Sequence, residues 1–226
     1  MDQVTDAPRV YTKQEAALIE RYRDINVSDD WWWECVRGDA EEDLAEIGFT
    51  MSRMYFSGFW SQGDGACFEG TMRDWGKFCE KVPEFCRDFP FLSEYLKDEG
   101  GTYSIAHQGH YYHENCTTHD YSTELENSLE DLGDAEHLTD PDKQMRHAMW
   151  TKAFEEEGTT YQTTGEDVTN WLKDFFKDKM RDLYRSLEKE HEYMTSDDAV
   201  WDTIEANDLD KQDVLDEEGE DDETTD

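Results

Sequence analysis

The sequence predicts an α+β fold: an antiparallel sheet built from hairpins, covered by N-terminal and C-terminal helices and ending in a disordered acidic tail. Helical periodicity fills the chain before residue 48 and again after residue 141. Between them, aromatic-rich runs flank a glycine-containing turn, SQGDGA, and a second strand-like pair follows. Helices, then strands, then helices is the order of segregated layers rather than of βαβ units. A length of 226 residues suits one domain over 1–208, with a small helical lobe at 75–98 and a flexible tail at 209–226.

Each element has a local reason. Thr12 is placed to cap a helix to Tyr22, with Glu15 completing a capping box. Ser28 is expected to open a second helix through Trp31, Trp32, Cys35, Val36, Leu44 and Ile47, which Gly48 ends. Met51 to Trp60 and Cys67 to Met72 then read as a hairpin, with Gly63 and Gly65 on either side of Asp64 suited to positive φ. From Trp75 to Leu96 the spacing is helical, but Pro83 and Pro90 break the run into short pieces, and Gly100 and Gly101 end it. Thr102 to His110 and Tyr111 to Thr123 read as a second strand pair. Helices are expected at Thr123 to Leu138, Pro141 to Phe154 and Asp167 to Tyr193, the last burying Val168, Trp171, Leu172, Phe175, Phe176, Leu183 and Leu187. Its Asp174, Asp178 and Asp182 stand beside Lys173, Lys177 and Arg181, an outer face that neutralises itself. Ser196 caps a final helix to about Asn207.

The charge excludes whole classes of function. With 58 acids against 21 bases the net charge is −37, so DNA, RNA and anionic lipid would be repelled. Residues 1–100 hold 22 acids and 11 bases, whereas 101–226 hold 36 and 10. Two tracts cause the excess: Asp98 to Asp142 has 12 acids and no Lys or Arg, and Glu190 to Asp226 has 17 acids with Lys211 alone. Adaptation to high salt is one plain explanation of so much charge, and a solvated acidic face without a partner is another. No apolar run is long enough to span a bilayer and the N-terminus has no secretory pattern, so a soluble cytoplasmic protein is expected. Five irregularly spaced cysteines, Cys35, Cys67, Cys79, Cys86 and Cys116, read as reduced thiols.

Three stretches carry a resemblance. YRDINVSDDWW at Tyr22 to Trp32, FSGFWSQGDGACFEG at Phe56 to Gly70, and HQGHYYHENC together with YRSLEKEHEYMTSDDAVWDTIEAN resemble a family of tailed-bacteriophage proteins of the QGDG-hairpin and GHYYH type. Its members often carry the label "antitoxin of toxin-antitoxin stability system". The resemblance runs from about residue 10 to 208 and implies a phage product acting in the cytoplasm of an infected bacterium; it implies no reaction.

The candidate chemistry is sparse. His107, His110, His113, Cys116 and His119 form a run at intervals of three, with ligand types that suit zinc and a metal-dependent hydrolase. On a strand, however, His107, His113 and His119 face one way and His110 and Cys116 the other, so no face offers four ligands, and no metal or cofactor is assigned. Asp64 reads as a turn residue sooner than a catalytic acid, and QGDGACFEG lacks the lysine and spacing of a phosphate loop. Trp31, Trp32 and Trp33 are about 100° apart on a helix and cannot all face inward, so at least one is an exposed aromatic anchor.

Charge is therefore the main functional signal. B-DNA presents one negative charge per about 1.7 Å of axis, and a stripe of carboxylates can imitate it. Asp120, Glu124, Glu126, Glu130, Asp131, Asp134 and Glu136, extended by Asp140 and Asp142, are the candidate mimic surface, with Glu126, Glu130 and Asp134 in one helical column. The expected protein is a non-enzymatic, phage-encoded DNA mimic that blocks a basic host protein with a nucleic-acid-binding groove, most plainly a restriction, CRISPR or other defence nuclease. It would bind no nucleic acid or membrane itself, and a homodimer could lengthen the charge track. The alternatives are an antitoxin-like protein that neutralises a toxin partner, and the metal-dependent hydrolase.

Overall fold

The computed structural model describes residues 9–122 and 161–209 and, between these, the isolated helical positions Pro141, Met145, Ala148, Met149, Lys152 and Glu156. The fold is α+β, with seven α-helices and a four-stranded antiparallel sheet among the described residues. In order these are α1 (Lys13–Arg21), α2 (Glu34–Glu46), β1 (Phe49–Ser57), β2 (Gly65–Met72), α3 (Trp75–Lys81), α4 (Pro83–Asp88), α5 (Pro90–Glu99), β3 (Thr102–His107), β4 (Thr117–Ser122), α6 (Tyr161–Met194) and α7 (Asp197–Ala206). No helix among them is long and apolar enough to cross a membrane. The expected helix at 123–138 and the tail beyond 209 lie outside the described residues, as does most of the expected helix at 141–154.

Where the sequence reads as one domain over 1–208, the chain divides into two compact units: one from the described parts of 1–36 and 186–226, the other from 37–185. In the first, α1 and α7 share a core of Ile19, Val200, Trp201 and Ile204, with Tyr11, Leu18, Tyr22 and Ile25 packed around it. The expected capping box is present: Glu15 N–H donates to Thr12 Oγ1 at 3.2 Å, and Thr12 N–H donates to Glu15 Oε2 at 2.6 Å. Ser196 caps α7 through Ala199 N–H, as expected. Arg9 lies over the Tyr11 and Trp201 rings and pairs with Asp202 and Glu205. Arg23 bonds Asp197 and the Thr195 carbonyl. The carboxylates that look unpaired along 190–208 therefore draw part of their countercharge from the N-terminal segment.

Ser28 does not open the second helix. Its hydroxyl donates back to the Ile25 carbonyl at 3.1 Å, so it closes a turn instead of capping one. A single 3-10 turn, Asp30–Trp33, follows, and α2 begins at Glu34.

The second unit is organised by its sheet, in the order β1-β2-β3-β4. Directly opposed residues of antiparallel strands share a face, so Phe49, Met72, Tyr103 and Tyr121 form one row across all four strands. Every member of that row is buried. The long helix α6 lays Phe176 against it, with ring centroids 4.8 Å from Phe49 and 5.2 Å from Tyr103. Of the residues expected to be buried on α6, Val168, Leu172, Phe176 and Leu183 are, Met180 joins them, Trp171 and Phe175 are only half-buried, and Leu187, in the part of the helix that belongs to the first unit, is buried as expected. Pro83 and Pro90 split the 75–99 segment into three helices as expected, each Pro at the start of its own piece where its missing N–H costs no bond. Trp75, Phe78 and Phe85 from these pieces belong to the same core: Trp75 meets Tyr121 edge-on, and Phe78 stacks on Phe176. The other sheet face carries the row Thr50, Thr71, Ser104 and Asp120, which is polar.

Candidate interaction surface

The two motifs that carry the resemblance, QGDG and GHYYH, meet at one end of the sheet, where the β1–β2 and β3–β4 connections come together. In the first connection, residues 58–64, Asp64 Oδ2 accepts the N–H groups of Trp60 (3.0 Å) and Ser61 (2.6 Å). That carboxylate is a loop brace, which matches the turn reading of Asp64. Of the two flanking glycines, Gly63 has the expected positive φ (+105°) and Gly65 does not. Gly65 is small for another reason: a Cβ there would lie 2.9 Å from His113 Cα. Gly63 in turn sits under the Tyr111 ring, 3.5 Å from where its Cβ would be. The missing side chain at Gly65 thus makes room for the His113 backbone.

The second connection is longer than the sequence suggests. β3 ends at His107 and β4 starts at Thr117, so the strands expected over 102–110 and 111–123 lose their facing ends to residues 108–116. This connection holds Glu114, a buried carboxylate bonded by Arg181 Nε of α6 at 3.1 Å and lying 2.8 Å from His113 Nδ1. Lys177 donates to Asn115 Oδ1 at 2.6 Å. Burying a carboxylate without such partners would be costly, so the segment folds to meet them. Lys177 and Arg181 do not simply neutralise their own helix, as their spacing implies; both reach this loop.

The result is an aromatic surface built from both connections. Tyr55 of β1 stacks on Tyr112 with centroids 5.3 Å apart, and His107 packs against both rings. Phe59 stacks on Tyr184, whose hydroxyl donates to the Gly58 carbonyl. Trp60 is 81% exposed, Tyr111 61% and Tyr112 38%. Large rings left in water on braced loops are the kind of feature that marks an interaction site. The adjacency of Gly-rich and Tyr-rich turns was the available signal in the sequence, but nothing local says that residues 63 and 111 touch.

The expected aromatic anchors divide as their angular spacing requires. Trp31 is 58% exposed, Trp33 is half-buried, and Trp32 is buried edge-on against His191 at 5.5 Å. Of the candidate mimic residues, Asp120 is exposed on β4. Glu124, Glu126, Glu130, Asp131, Asp134, Glu136, Asp140 and Asp142 lie outside the described residues.

The histidine run does not form one strand. His107 and His119 sit on β3 and β4, while His110, His113 and Cys116 lie in the connection. Among the described residues no group of three or more His, Cys, Asp or Glu is placed to hold a metal ion. His119 is fully engaged, with Nδ1 2.5 Å from the Tyr103 hydroxyl and Nε2 2.9 Å from Thr117 Oγ1. Since Thr117 donates its own proton to the Glu114 carbonyl, its oxygen accepts from Nε2–H and the Tyr103 hydroxyl donates to Nδ1. Both ring nitrogens are spent on this chain of bonds.

That chain has a pH consequence. Burial first, then the charges of Lys173 and Lys177, lowers the His119 pKa from 6.5 to about 4. Because the folded value lies below the unfolded one, the unfolded chain takes up the proton first as pH falls. The contribution is complete above about pH 6.5 and is lost between there and about pH 4. The ring is only half-buried, so solvent screening holds the loss well below what about 1.4 kcal/mol per unit would give, at roughly 1–2 kcal/mol. His119→Gln should flatten this part of the stability curve when urea midpoints are compared with wild type at about pH 4.5 and 7; parallel curves would assign the titration to other groups.

An α+β protein with an aromatic loop junction braced by side-chain hydrogen bonds is the class that these features define. The chain belongs to the family described as a domain of unknown function, DUF8835, which matches residues 32–197. The match takes in both loop motifs and the whole sheet. No curated protein and no solved structure matches the chain.

Proposed function

We propose that this protein works by binding and not by catalysis, as an acidic body that captures a basic partner with a nucleic-acid-binding groove by presenting a DNA-like charge. The observation that carries the reading is the aromatic junction of Trp60, Tyr111 and Tyr112, exposed on braced loops of a chain with net charge −37. An arginine-rich groove suits both features, because guanidinium pairs with carboxylates in two-pronged fashion and stacks on aromatic faces. Long-range attraction would speed encounter, and the rings would supply the desolvated contact that slows release. The likeness of the loop motifs to tailed-phage proteins directs the choice of partner toward a bacterial defence nuclease in an infected cell, with the protein as its DNA-mimic inhibitor.

The test is capture from bacterial lysate on the immobilised full chain at low and high salt, with double-stranded DNA as competitor. A basic DNA-binding protein should be retained at low salt, released at high salt and displaced by DNA. Replacing Tyr111 and Tyr112 together by Ala should weaken its retention at least about tenfold, or about 1.4 kcal/mol. Retention indifferent to both salt and DNA would overturn the mimic reading, and a captured toxin encoded beside this gene would replace it with the antitoxin one.

A further inference from the structure

The helix break at Pro83 has a chemical effect on the cysteines. In an unbroken helix, residues seven apart lie about 10.5 Å apart along the axis, beyond the reach of a disulfide. Here α3 ends at Lys81 and α4 starts at Pro83. The break brings the two residues together, so that the Cys86 thiol donates to the Cys79 carbonyl at 3.5 Å. The other three cysteines are placed differently: Cys35 is exposed on α2, Cys67 is buried in β2, and Cys116 is half-buried at the end of the β3–β4 connection.

We propose that Cys79 and Cys86 are a redox pair that closes to an intrachain disulfide linking α3 to α4 when the protein meets a low-molecular-weight disulfide. Their unequal exposure sets the order of events. Cys86 is half-buried and is the thiol an oxidant reaches, whereas Cys79 is buried, and burial followed by the neighbouring Cys86 thiol pushes its pKa up to about 12. The Cys86 thiolate attacks one sulfur of the small disulfide and expels the other half as a thiol. Cys79 then gives up its proton and attacks the Cys86 sulfur of the mixed disulfide, expelling the second half. Two protein thiols are oxidised by two electrons, one small disulfide is reduced to two thiols, and the protein's two protons end on those thiols. The scarcity of the Cys79 thiolate makes the second step the slower one and makes it faster as pH rises.

The experiment uses the full chain and oxidised glutathione, followed by alkylation with N-ethylmaleimide and tryptic mapping. Cleavage after Lys77, Lys81 and Arg87 separates Cys79, in residues 78–81, from Cys86, in residues 82–87. The expected product is these two peptides joined by a disulfide, on a chain that migrates as a monomer in a non-reducing gel. The alkylated form of 78–81 should lose most of its signal and regain it after dithiothreitol, and Cys86→Ser should abolish the joined species. Glutathione held on Cys86 with Cys79 still alkylated would overturn the proposal, as would the joined peptides appearing only in a cross-linked dimer.

Discussion

Replacing Phe176 with alanine is expected to cost about 3–5 kcal/mol, read as a large fall in the urea midpoint at unchanged slope. Phe176 is fully buried where α6 meets the sheet, with centroids 4.8 Å from Phe49, 5.2 Å from Tyr103, 5.3 Å from Phe175 and 6.3 Å from Phe68. It also stacks on Phe78 of α3, so a single ring of α6 meets three strands and a second helix. Removing it forfeits the transfer of a large apolar group and leaves a cavity whose walls are themselves rings with few alternative rotamers. Phe176→Leu should recover much of the loss. A cost below about 1 kcal/mol for the alanine variant would show that α6 is not what closes the sheet's core.

Gly70→Ala is expected to cost about 3 kcal/mol although it adds a single methyl. Gly70 lies in β2 opposite Met51, where a Cβ would fall 2.2 Å from the Thr50 carbonyl oxygen and 2.6 Å from the Phe49 ring. The first of these is backbone of the neighbouring strand and cannot rotate away, so the β1–β2 ladder itself would have to shift. Gly38 supplies the contrast. It is exposed inside α2 with nothing within 4 Å of its Cβ position, and Gly38→Ala should stabilise the protein by roughly 0.5–1 kcal/mol. Paired urea titrations of the two variants should move in opposite directions, and a shared direction would contradict the packing at Gly70.

Much of the architecture was legible because its causes are local. Thr12 with Glu15, Pro83 with Pro90, and Ser196 all act within one turn of the boundaries they set, and each boundary falls where the residues place it. Ser28 misled because a hydroxyl can serve either the helix ahead or the carbonyl behind, and here Ile25 receives it. The second strand pair is shorter than its residues suggest, and Glu114 in the connection between the strands is bonded to a partner far along the chain, Arg181. The candidate site was legible in its ingredients, glycine turns and tyrosines, but not in its assembly. Trp60, the most exposed of the site's rings, stood in what looked like the end of a strand.

What the sequence determined by itself is the alternation of helix and strand, the breaks between them and the net negative charge. These follow from backbone sterics, capping and composition, which depend on neighbours a few residues away. The tertiary structure decided which charges are neutralised, since Arg9 reaches Asp202 and Glu205 and Arg23 reaches Asp197 across more than 170 positions. It also decided that the Gly63 and Tyr111 loops form one surface and that the half-buried His119 has its pKa lowered. Coulomb attraction and packing depend on distance in space, and residues far apart in sequence become neighbours only after the chain has folded.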